Sequence, residues 1–198
     1  MSSDLAAEKR RLRRSVSQRR RAVPADEAAR VAERIAARLL AEVVVRRARR
    51  IALYAALPDE VPSRPLFDAL ATLRKTLLLP RVLRQNEVAF AVVTDWSALR
   101  PGRYGVLEPP ALAVPIEPEE GDLVLVPGVA FDRAGNRLGR GKGCYDRAFP
   151  PGAPRPPLLI GVAYELQFVA AVPHTARDRR MDAVVTESAL LWTGRSAP

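Results

Sequence analysis

The stretch GDLVLVPGVAFDRAGNRLGRGKGCYDR, residues 121–147, decides the fold of this 198-residue chain. Its first half contains Leu-Val-Leu-Val at 123–126, a continuous apolar run typical of strands that are buried on both faces of a parallel sheet. Glycines and basic residues follow at 135–147, directly past the end of that predicted strand. Because ligands of open α/β sheets bind outside the carboxyl ends of the strands, we expect this second half to line a site.

Apolar periodicity in the rest of the chain predicts helices and strands in a mixed order. Helices are predicted over 3–22, opened by Ser3 or Asp4, and over 24–47, 65–74 and 145–149. Further strands are predicted over 50–57, 76–82, 87–94, 158–164, 182–187 and 189–192. The sequence therefore predicts an α/β fold with one domain over 1–198. We expect a Rossmann-like α/β/α sandwich with a largely parallel central sheet, on which the basic N-terminal helices 3–47 pack.

The composition is that of a soluble globular protein, with 48% of the residues hydrophobic and 27% charged. No apolar run approaches the roughly 20 residues of a membrane span, and the first residues lack the apolar core of a signal peptide. The single cysteine cannot form an internal disulfide. We therefore expect a cytoplasmic monomer without a membrane partner.

The positive charge is concentrated at the N-terminus. The net charge is +10, and residues 1–50 hold 15 Lys/Arg against 6 Asp/Glu. Such a basic segment is compatible with nucleic-acid binding, with a solvated helix face or with small anions. The first 50 residues contain no Phe, Tyr or Trp, the side chains on which single-stranded nucleic acids stack. Nucleic acid is therefore the less favoured partner.

The glycines at 139, 141 and 143 do not form either of the common nucleotide motifs. In a Walker P-loop a Ser or Thr follows the lysine, whereas Gly143 follows Lys142 here. In the dinucleotide motif Cys144 stands where the third glycine is needed. Alternating glycines instead allow successive N–H groups to turn toward one anion, with charge supplied by Arg137, Arg140 and Lys142. The alternative interpretation is a flexible surface turn.

The first predicted helix carries basic residues on its apolar stripe. Lys9, Leu12, Arg13, Val16 and Arg20 recur at helical spacing and share one face. A cation on the face that meets the protein body needs a partner, and a bound anion would provide one. Equally, these side chains can extend along the apolar surface and keep their charged ends in water. The sequence leaves both interpretations open.

At this point the residues carry a resemblance to a known family. PGVAFD (127–132), GNRLGRGKG (135–143) and Tyr145-Asp146 resemble the signature of the 5-formyltetrahydrofolate cyclo-ligase family, also called methenyltetrahydrofolate synthetases. Weaker matches follow the family's order: EKRRLR (8–13), Asp59-Glu60, RYGVLEP (103–109) and Met181-Asp182. The sequence departs from the family at Cys144, where the first of two tyrosines usually stands.

The resemblance implies an ATP- and Mg²⁺-dependent ring closure. In this family ATP phosphorylates the formyl oxygen of 5-formyltetrahydrofolate, folate N10 attacks the activated carbon, and phosphate leaves to give 5,10-methenyltetrahydrofolate. Phosphoryl transfer requires positioning and charge stabilisation more than a protein nucleophile. A relative that binds ATP but uses another substrate remains an alternative.

The resemblance also implies roles for individual residues. ATP would be bound by Lys9, Arg13, Arg137, Gly139, Arg140, Gly141, Lys142, Gly143, Cys144 and Tyr145. Lys142 or Arg140 would stabilise the transferred phosphoryl group. The folate would contact Ala55, Glu60, Tyr104, Cys144 and Tyr145. Asp146 and Asp182 would hold Mg²⁺, although Asp146 can equally be a helix-start carboxylate and Asp182 a partner of Arg179 or Arg180.

Two other chemistries are disfavoured. A nucleophilic Cys144 needs a base within hydrogen-bonding reach, and the only histidine, His174, lies in a separate proline-flanked segment. A zinc site is not expected from one cysteine and one histidine.

Overall fold

The computed structural model describes residues 2–194, with side chains from residue 4 onward. Five α-helices are present in this part of the chain: α1 Ser2–Arg21, α2 Ala25–Ala41, α3 Val43–Arg47, α4 Ser63–Ala71 and α5 Cys144–Ala148. The strands are β1 Arg50–Ala52, β2 Thr76–Val82, β3 Val88–Val92, β4 Arg100–Pro101, β5 Leu107–Glu108, β6 Pro115–Ile116, β7 Leu123–Pro127, β8 Ala130–Phe131, β9 Arg137–Leu138, β10 Leu158–Val162, β11 Ala183–Val185 and β12 Leu190–Trp192. Short 3₁₀ turns lie at Arg84–Asn86, Trp96–Ala98, Arg103–Gly105 and Glu165–Gln167.

Eight strands form the central sheet in the order β12-β11-β10-β7-β1-β2-β3-β6. The inner five, from β11 to β2, run parallel to one another, and the three outer strands β12, β3 and β6 are antiparallel to their neighbours. Residues 123–126 lie in the middle of this sheet, where Val124 and Leu125 pair with Leu159 and Ile160 of β10. The prediction of an α/β fold with a mostly parallel sheet is confirmed.

The two faces of the sheet are covered by different elements. Leu123 and Leu125 face the layer of α2 and α4, in a core that includes Ile35, Leu39, Leu66 and Leu70. Val124 and Val126 face the other layer, in a core that includes Phe131, Phe149 and Met181. The period-two alternation of a strand thus sends successive residues of one apolar run into two cores.

Helix α1 lies over the second layer and packs on the β8–β9 hairpin. Val16 is fully buried there with Val129, Ala130 and Leu138. This contact holds the apolar stripe of α1 against the chain that follows β7. The basic residues of the same stripe therefore lie at the edge of the predicted site.

Several predicted boundaries are corrected by the structure. α1 begins at Ser2, so Ser3 and Asp4 lie inside the helix and not before it. The helix predicted over 24–47 is interrupted at Glu42, whose extended backbone (φ −76°, ψ 133°) separates α2 from α3. The helix resumes at Val43, and α3 places Val45 in the core.

The strand and helix predicted on either side of the Asp59-Glu60 pair are also shorter than expected. β1 ends at Ala52 because the chain then turns into a loop, where Tyr54 Oη donates to the carbonyl of Val61 at 2.9 Å. α4 begins at Ser63 instead of residue 65, since the missing N–H of a proline is tolerated in the first turn. It ends at Ala71, ahead of Arg74, whose φ of 52° is incompatible with a helix. No helix among residues 2–194 is long and apolar enough to cross a membrane.

Candidate active site

A cavity of about 530 Å³ opens where the carboxyl ends of the parallel strands meet. Residues just past β1 and β7, such as Tyr54 and Gly128, form its floor. All but one of the predicted site residues line it: Lys9, Arg13, Ala55, Glu60, Tyr104, Arg137, Gly139, Arg140, Gly141, Lys142, Gly143, Cys144, Tyr145 and Asp146. The exception is Asp182. Predicted residues from four separate parts of the sequence, 9–13, 55–60, 104 and 137–146, are thus brought to one site.

The loop 139–143, called the glycine loop below, forms one wall. A Cβ atom at Gly139 would lie 2.7 Å from Nη1 of Arg137, so a larger residue there would displace the Arg137 guanidinium group. Gly141 has a φ of 95°, a left-handed conformation that glycine adopts without strain. The basic side chains of the loop and its glycine backbone thus line the same cavity.

Helix α1 contributes the cationic side of the cavity. Arg13 Nε donates to the carbonyl of Gly139 at 2.8 Å, which joins α1 to the glycine loop. Burial lowers the pKa of Arg13, and the nearby charge of Asp178 only partly opposes this effect. Lys9 Nζ lies 2.8 Å from the carboxylate of Asp178. Both cations therefore face the protein body, and Lys9 already has a partner that the sequence did not reveal.

A network of two arginines and two acids lies beneath the glycine loop. Arg140 Nε donates to Glu60 Oε1 at 3.0 Å, and its guanidinium group is also bonded to Asp59. Asp59 is bonded from the other side by Arg20, which is wholly buried. Burial alone would raise the pKa of Asp59, but hydrogen bonds and charge from Arg20 and Arg140 outweigh it and hold this pKa below its ordinary value.

A second ion pair stands at the far end of the loop. Arg137 Nη2 donates to Asp146 Oδ1 at 3.0 Å, and the backbone N–H of Arg179 donates to the same oxygen at 3.2 Å. The Arg137 guanidinium lies 5.6 Å from the centre of the Tyr145 ring. Burial raises the pKa of Tyr145 far above its ordinary value, so its hydroxyl stays protonated.

The remaining wall is mostly apolar and was largely missed by the sequence analysis. Leu57, Val82, Val88 and Val106 line it. Tyr104 stands at its edge, half exposed and with a left-handed φ of 58°, and Lys142 Nζ lies 5.3 Å from the centre of its ring. Apolar residues carry no sequence signal that separates a cavity wall from a core, so only the structure assigns them. The cavity is thus lined both by cations and by apolar side chains.

Comparison with known proteins decides the family. Residues 5–187 match the model of the 5-formyltetrahydrofolate cyclo-ligase family. The chain belongs to this family. A 5-formyltetrahydrofolate cyclo-ligase of Mycolicibacterium smegmatis is 34% identical over 184 residues, covering 90% of this chain and 93% of that protein. One from Mus musculus is 28% identical over 194 residues, with the same shares covered. The NMR structure of Aquifex aeolicus 5,10-methenyltetrahydrofolate synthetase has a TM-score of 0.81 and 32% identity, covering 95% of this chain and 94% of that one.

Cys144 is not equipped as a nucleophile in this cyclo-ligase family member. Burial raises the pKa of its thiol, and the charge of Arg147 only partly counters that effect. His174 lies in a separate, smaller cavity, where its Nδ1 is 2.9 Å from the carbonyl oxygen of Val172. Cys144 thus lines the cavity, and no histidine among the described residues lies near it.

The two predicted magnesium ligands lie in different surroundings. Asp146 lines the cavity and has one oxygen, Oδ2, without a hydrogen bond to the described residues. Asp182 accepts the N–H of Leu159 at 2.8 Å, and Arg179 Nη2 lies 3.7 Å from the same carboxylate. Within residues 2–194 no three His, Cys, Asp or Glu side chains form a metal-binding group. Mg²⁺ commonly uses only one or two carboxylates together with substrate phosphates, a requirement that Asp146 fits.

Proposed function

We propose that this protein catalyses the ATP- and Mg²⁺-dependent cyclisation of 5-formyltetrahydrofolate to 5,10-methenyltetrahydrofolate. The observation that carries the proposal is that one cavity is lined by both cations and apolar side chains, which we assign to two halves. The cationic glycine loop and α1 border one half, and Glu60 with an apolar wall borders the other. A reaction between a polyphosphate and a flat heterocycle requires both kinds of surface side by side.

The cationic half is the proposed ATP site. Lys9, Arg13 and Lys142 lie around the glycine loop. A triphosphate would compete with Asp178 for Lys9. Arginine and lysine bind phosphate oxygens strongly because these hydrogen bonds are charge-assisted. The other proposed contacts are Arg137, Gly139, Arg140, Gly141, Gly143, Cys144 and Tyr145.

Magnesium is proposed to bind with the nucleotide. Asp146 would hold it at the cavity, and we propose Asp182 as a second carboxylate behind Asp146, since both contact Arg179. When bound, Mg²⁺ neutralises phosphate charge that the basic side chains do not reach.

The apolar half is the proposed folate site. Glu60 presents a carboxylate, an acceptor for the N–H donors of a pterin ring. Tyr104 and Tyr145 supply aromatic faces for stacking, while Ala55 and Cys144 leave room for the ring because their side chains are small.

The chemistry then needs no protein nucleophile. The formyl oxygen of the folate attacks the γ-phosphorus of ATP, and ADP leaves. N10 attacks the carbon so activated and loses its proton, and the phosphate departs with the carbon–oxygen bond pair to leave the N5–C–N10 amidinium. Lys142 and Arg140 are proposed to stabilise the charge on the transferred phosphoryl group.

One assay tests the proposal directly. The purified full-length chain with Mg-ATP is expected to convert 5-formyltetrahydrofolate into the methenyl product, followed by absorbance, with one ADP released per product. Omission of ATP is expected to abolish the conversion. ATP hydrolysis stimulated by some other compound, without any methenyl product, would instead identify a relative with a different substrate.

A further inference from the structure

Arg140 of the glycine loop is turned away from the proposed phosphate half and toward the folate half. Its Nε donates to Glu60 Oε1 at 3.0 Å, and its guanidinium group is bonded to Asp59 as well. Lys142 also lies toward that half, with Nζ 5.3 Å from the centre of the Tyr104 ring. Both cations of the loop therefore contact groups on the folate side.

We propose that Arg140 is a latch on the folate site that the phosphates of ATP release, and that Asp59 is the positioning residue that holds it there. In the nucleotide-free protein the guanidinium occupies the face of Glu60 that a pterin needs. Bound ATP draws Arg140 to its phosphates and exposes Glu60. The inference rests on the proposed function, because it takes Glu60 as the folate ligand.

Glu60 itself cannot turn away from the latch. It is buried to 92%, its Oε2 accepts the backbone N–H of Leu57 at 3.1 Å, and its carbonyl accepts the hydroxyl of Tyr164 at 3.0 Å. Oε1 is thus the oxygen left for a ligand, and it is the one that Arg140 holds. A pterin donor and the Arg140 guanidinium compete for this oxygen.

Arg140, in contrast, is free to move. Its side chain is 39% exposed, and glycines precede and follow it in the chain, Gly141 with a φ of 95°. When it leaves, Asp59 keeps a partner, because the buried Arg20 stays bonded to the other oxygen of that carboxylate. Release therefore leaves no unpaired acid at Asp59, while Glu60 becomes available to the folate.

A triphosphate can draw Arg140 off this pair. Guanidinium groups bind phosphate in a bidentate geometry, and the phosphates carry more negative charge than a carboxylate that is already shared with Arg20. The two ligands should consequently bind with positive coupling. Coupling between binding sites usually spans roughly 5- to 150-fold in affinity, and the same factor must apply to each ligand.

The test measures the Kd of 5-formyltetrahydrofolate by calorimetry on the full-length chain, with and without the Mg²⁺ complex of the β,γ-imido analogue of ATP. In the wild type we expect the analogue to tighten folate binding at least about fivefold. Arg140→Ala is expected to bind the folate tightly without nucleotide. The analogue, at a concentration that calorimetry shows to saturate this variant, should then change the folate Kd by less than twofold. Arg133→Ala, which removes an exposed charge from the β8–β9 turn, should keep the wild-type coupling.

Several outcomes overturn the inference. The inference is wrong if the wild type binds the folate equally well with and without the analogue, whatever the variants show. The inference is also wrong if Arg140→Ala binds the folate more weakly than the wild type does without nucleotide. The same holds if Arg133→Ala tightens folate binding as much as Arg140→Ala does. In the wild type, saturating folate must lower the Kd of the analogue by the same factor. A chain that binds no 5-formyltetrahydrofolate under any of these conditions refutes the proposed function itself.

Discussion

Arg20 and Asp59 form a salt bridge in which the guanidinium group is wholly buried and the carboxylate is 14% exposed. Arg20 also donates Nη1 to the carbonyl of Gly128 at 2.8 Å. One side chain of α1 therefore joins the loop after β1 to the chain after β7. The N-terminal helix is consequently part of the wall of the site, and its basic stripe is not merely a solvated surface.

Replacement of Arg20 by methionine is expected to destabilise the fold markedly. Loss of one partner from a buried pair typically costs about 3–5 kcal/mol, and we expect about 3 kcal/mol because Asp59 keeps Arg140. In a chain of this size that corresponds to a fall in Tm of roughly 6–12 °C, measured by thermal unfolding. Arg19→Met on the exposed side of α1 is the matched control and should change stability by less than about 0.5 kcal/mol. An equal effect in both variants would contradict the role of the buried pair.

Lys142→Ala is expected to impair the use of ATP. A charge-assisted hydrogen bond to phosphate contributes about 1.5–3 kcal/mol, so kcat/KM for ATP should fall roughly 10- to 150-fold. Initial rates at varied ATP and saturating folate measure this change. Lys75→Ala, which removes a lysine outside the cavity directly before β2, serves as the control. Wild-type kinetics in Lys142→Ala would remove that residue from the proposed site.

Asp146→Asn is expected to raise the Mg²⁺ concentration needed for half-maximal rate. The amide keeps the shape of the carboxylate but loses the charge that attracts the ion. The Mg²⁺ dependence of the rate at fixed ATP measures the effect, and thermal unfolding checks that loss of the partner of Arg137 has not unfolded the protein. The same titration of Asp182→Asn tests the second ligand. An unchanged Mg²⁺ requirement there would leave Asp182 only its observed structural contacts to Leu159 and Arg179.

The sequence allowed the cavity to be located but not its internal contacts. The apolar run at 123–126 and the glycines after it have local signatures, because strand burial and backbone conformation depend on neighbouring residues. The partners of the cations do not have such signatures. Asp178 is 169 positions away from Lys9, and Glu60 is 80 positions away from Arg140. Chain folding alone decides which acid meets which base, so only the structure revealed that Arg140 is already paired.

The pairing of Lys9 with Asp178 should make stability depend on pH in the acid range. Burial by itself raises the pKa of Asp178, but the hydrogen bonds from Lys9 and from the N–H of Thr175 outweigh it, so this pKa lies below its ordinary value. The stability contributed by the ionised carboxylate is therefore fully present above the ordinary pKa of about 3.9. It is lost as the pH falls through the lower, folded-state pKa.

Urea unfolding of the wild type and of Asp178→Asn between pH 7 and pH 3 measures this contribution. We expect the variant to be less stable at pH 7, with the difference shrinking toward pH 3. Lys9→Gln removes the other partner and should reduce the same pH dependence. A stability difference between wild type and Asp178→Asn that stays constant down to pH 3 would contradict the assignment.

Cys144→Ala separates a lining role from a catalytic one. Burial raises the pKa of the Cys144 thiol and so lowers its thiolate fraction, which makes it a poor nucleophile at neutral pH. Loss of a true catalytic nucleophile costs several orders of magnitude in kcat, whereas we expect Cys144→Ala to lose less than about tenfold because the proposed reaction forms no bond to the protein. KM for the folate should change more than KM for ATP, since the small side chain of Cys144 is proposed to leave room for the folate ring. Cys144→Tyr places an aromatic ring there and is expected to shift the folate KM again, with the ATP KM nearly constant. Rates at varied folate and varied ATP measure both constants, and a collapse of kcat in Cys144→Ala would show that the thiol takes part in the chemistry.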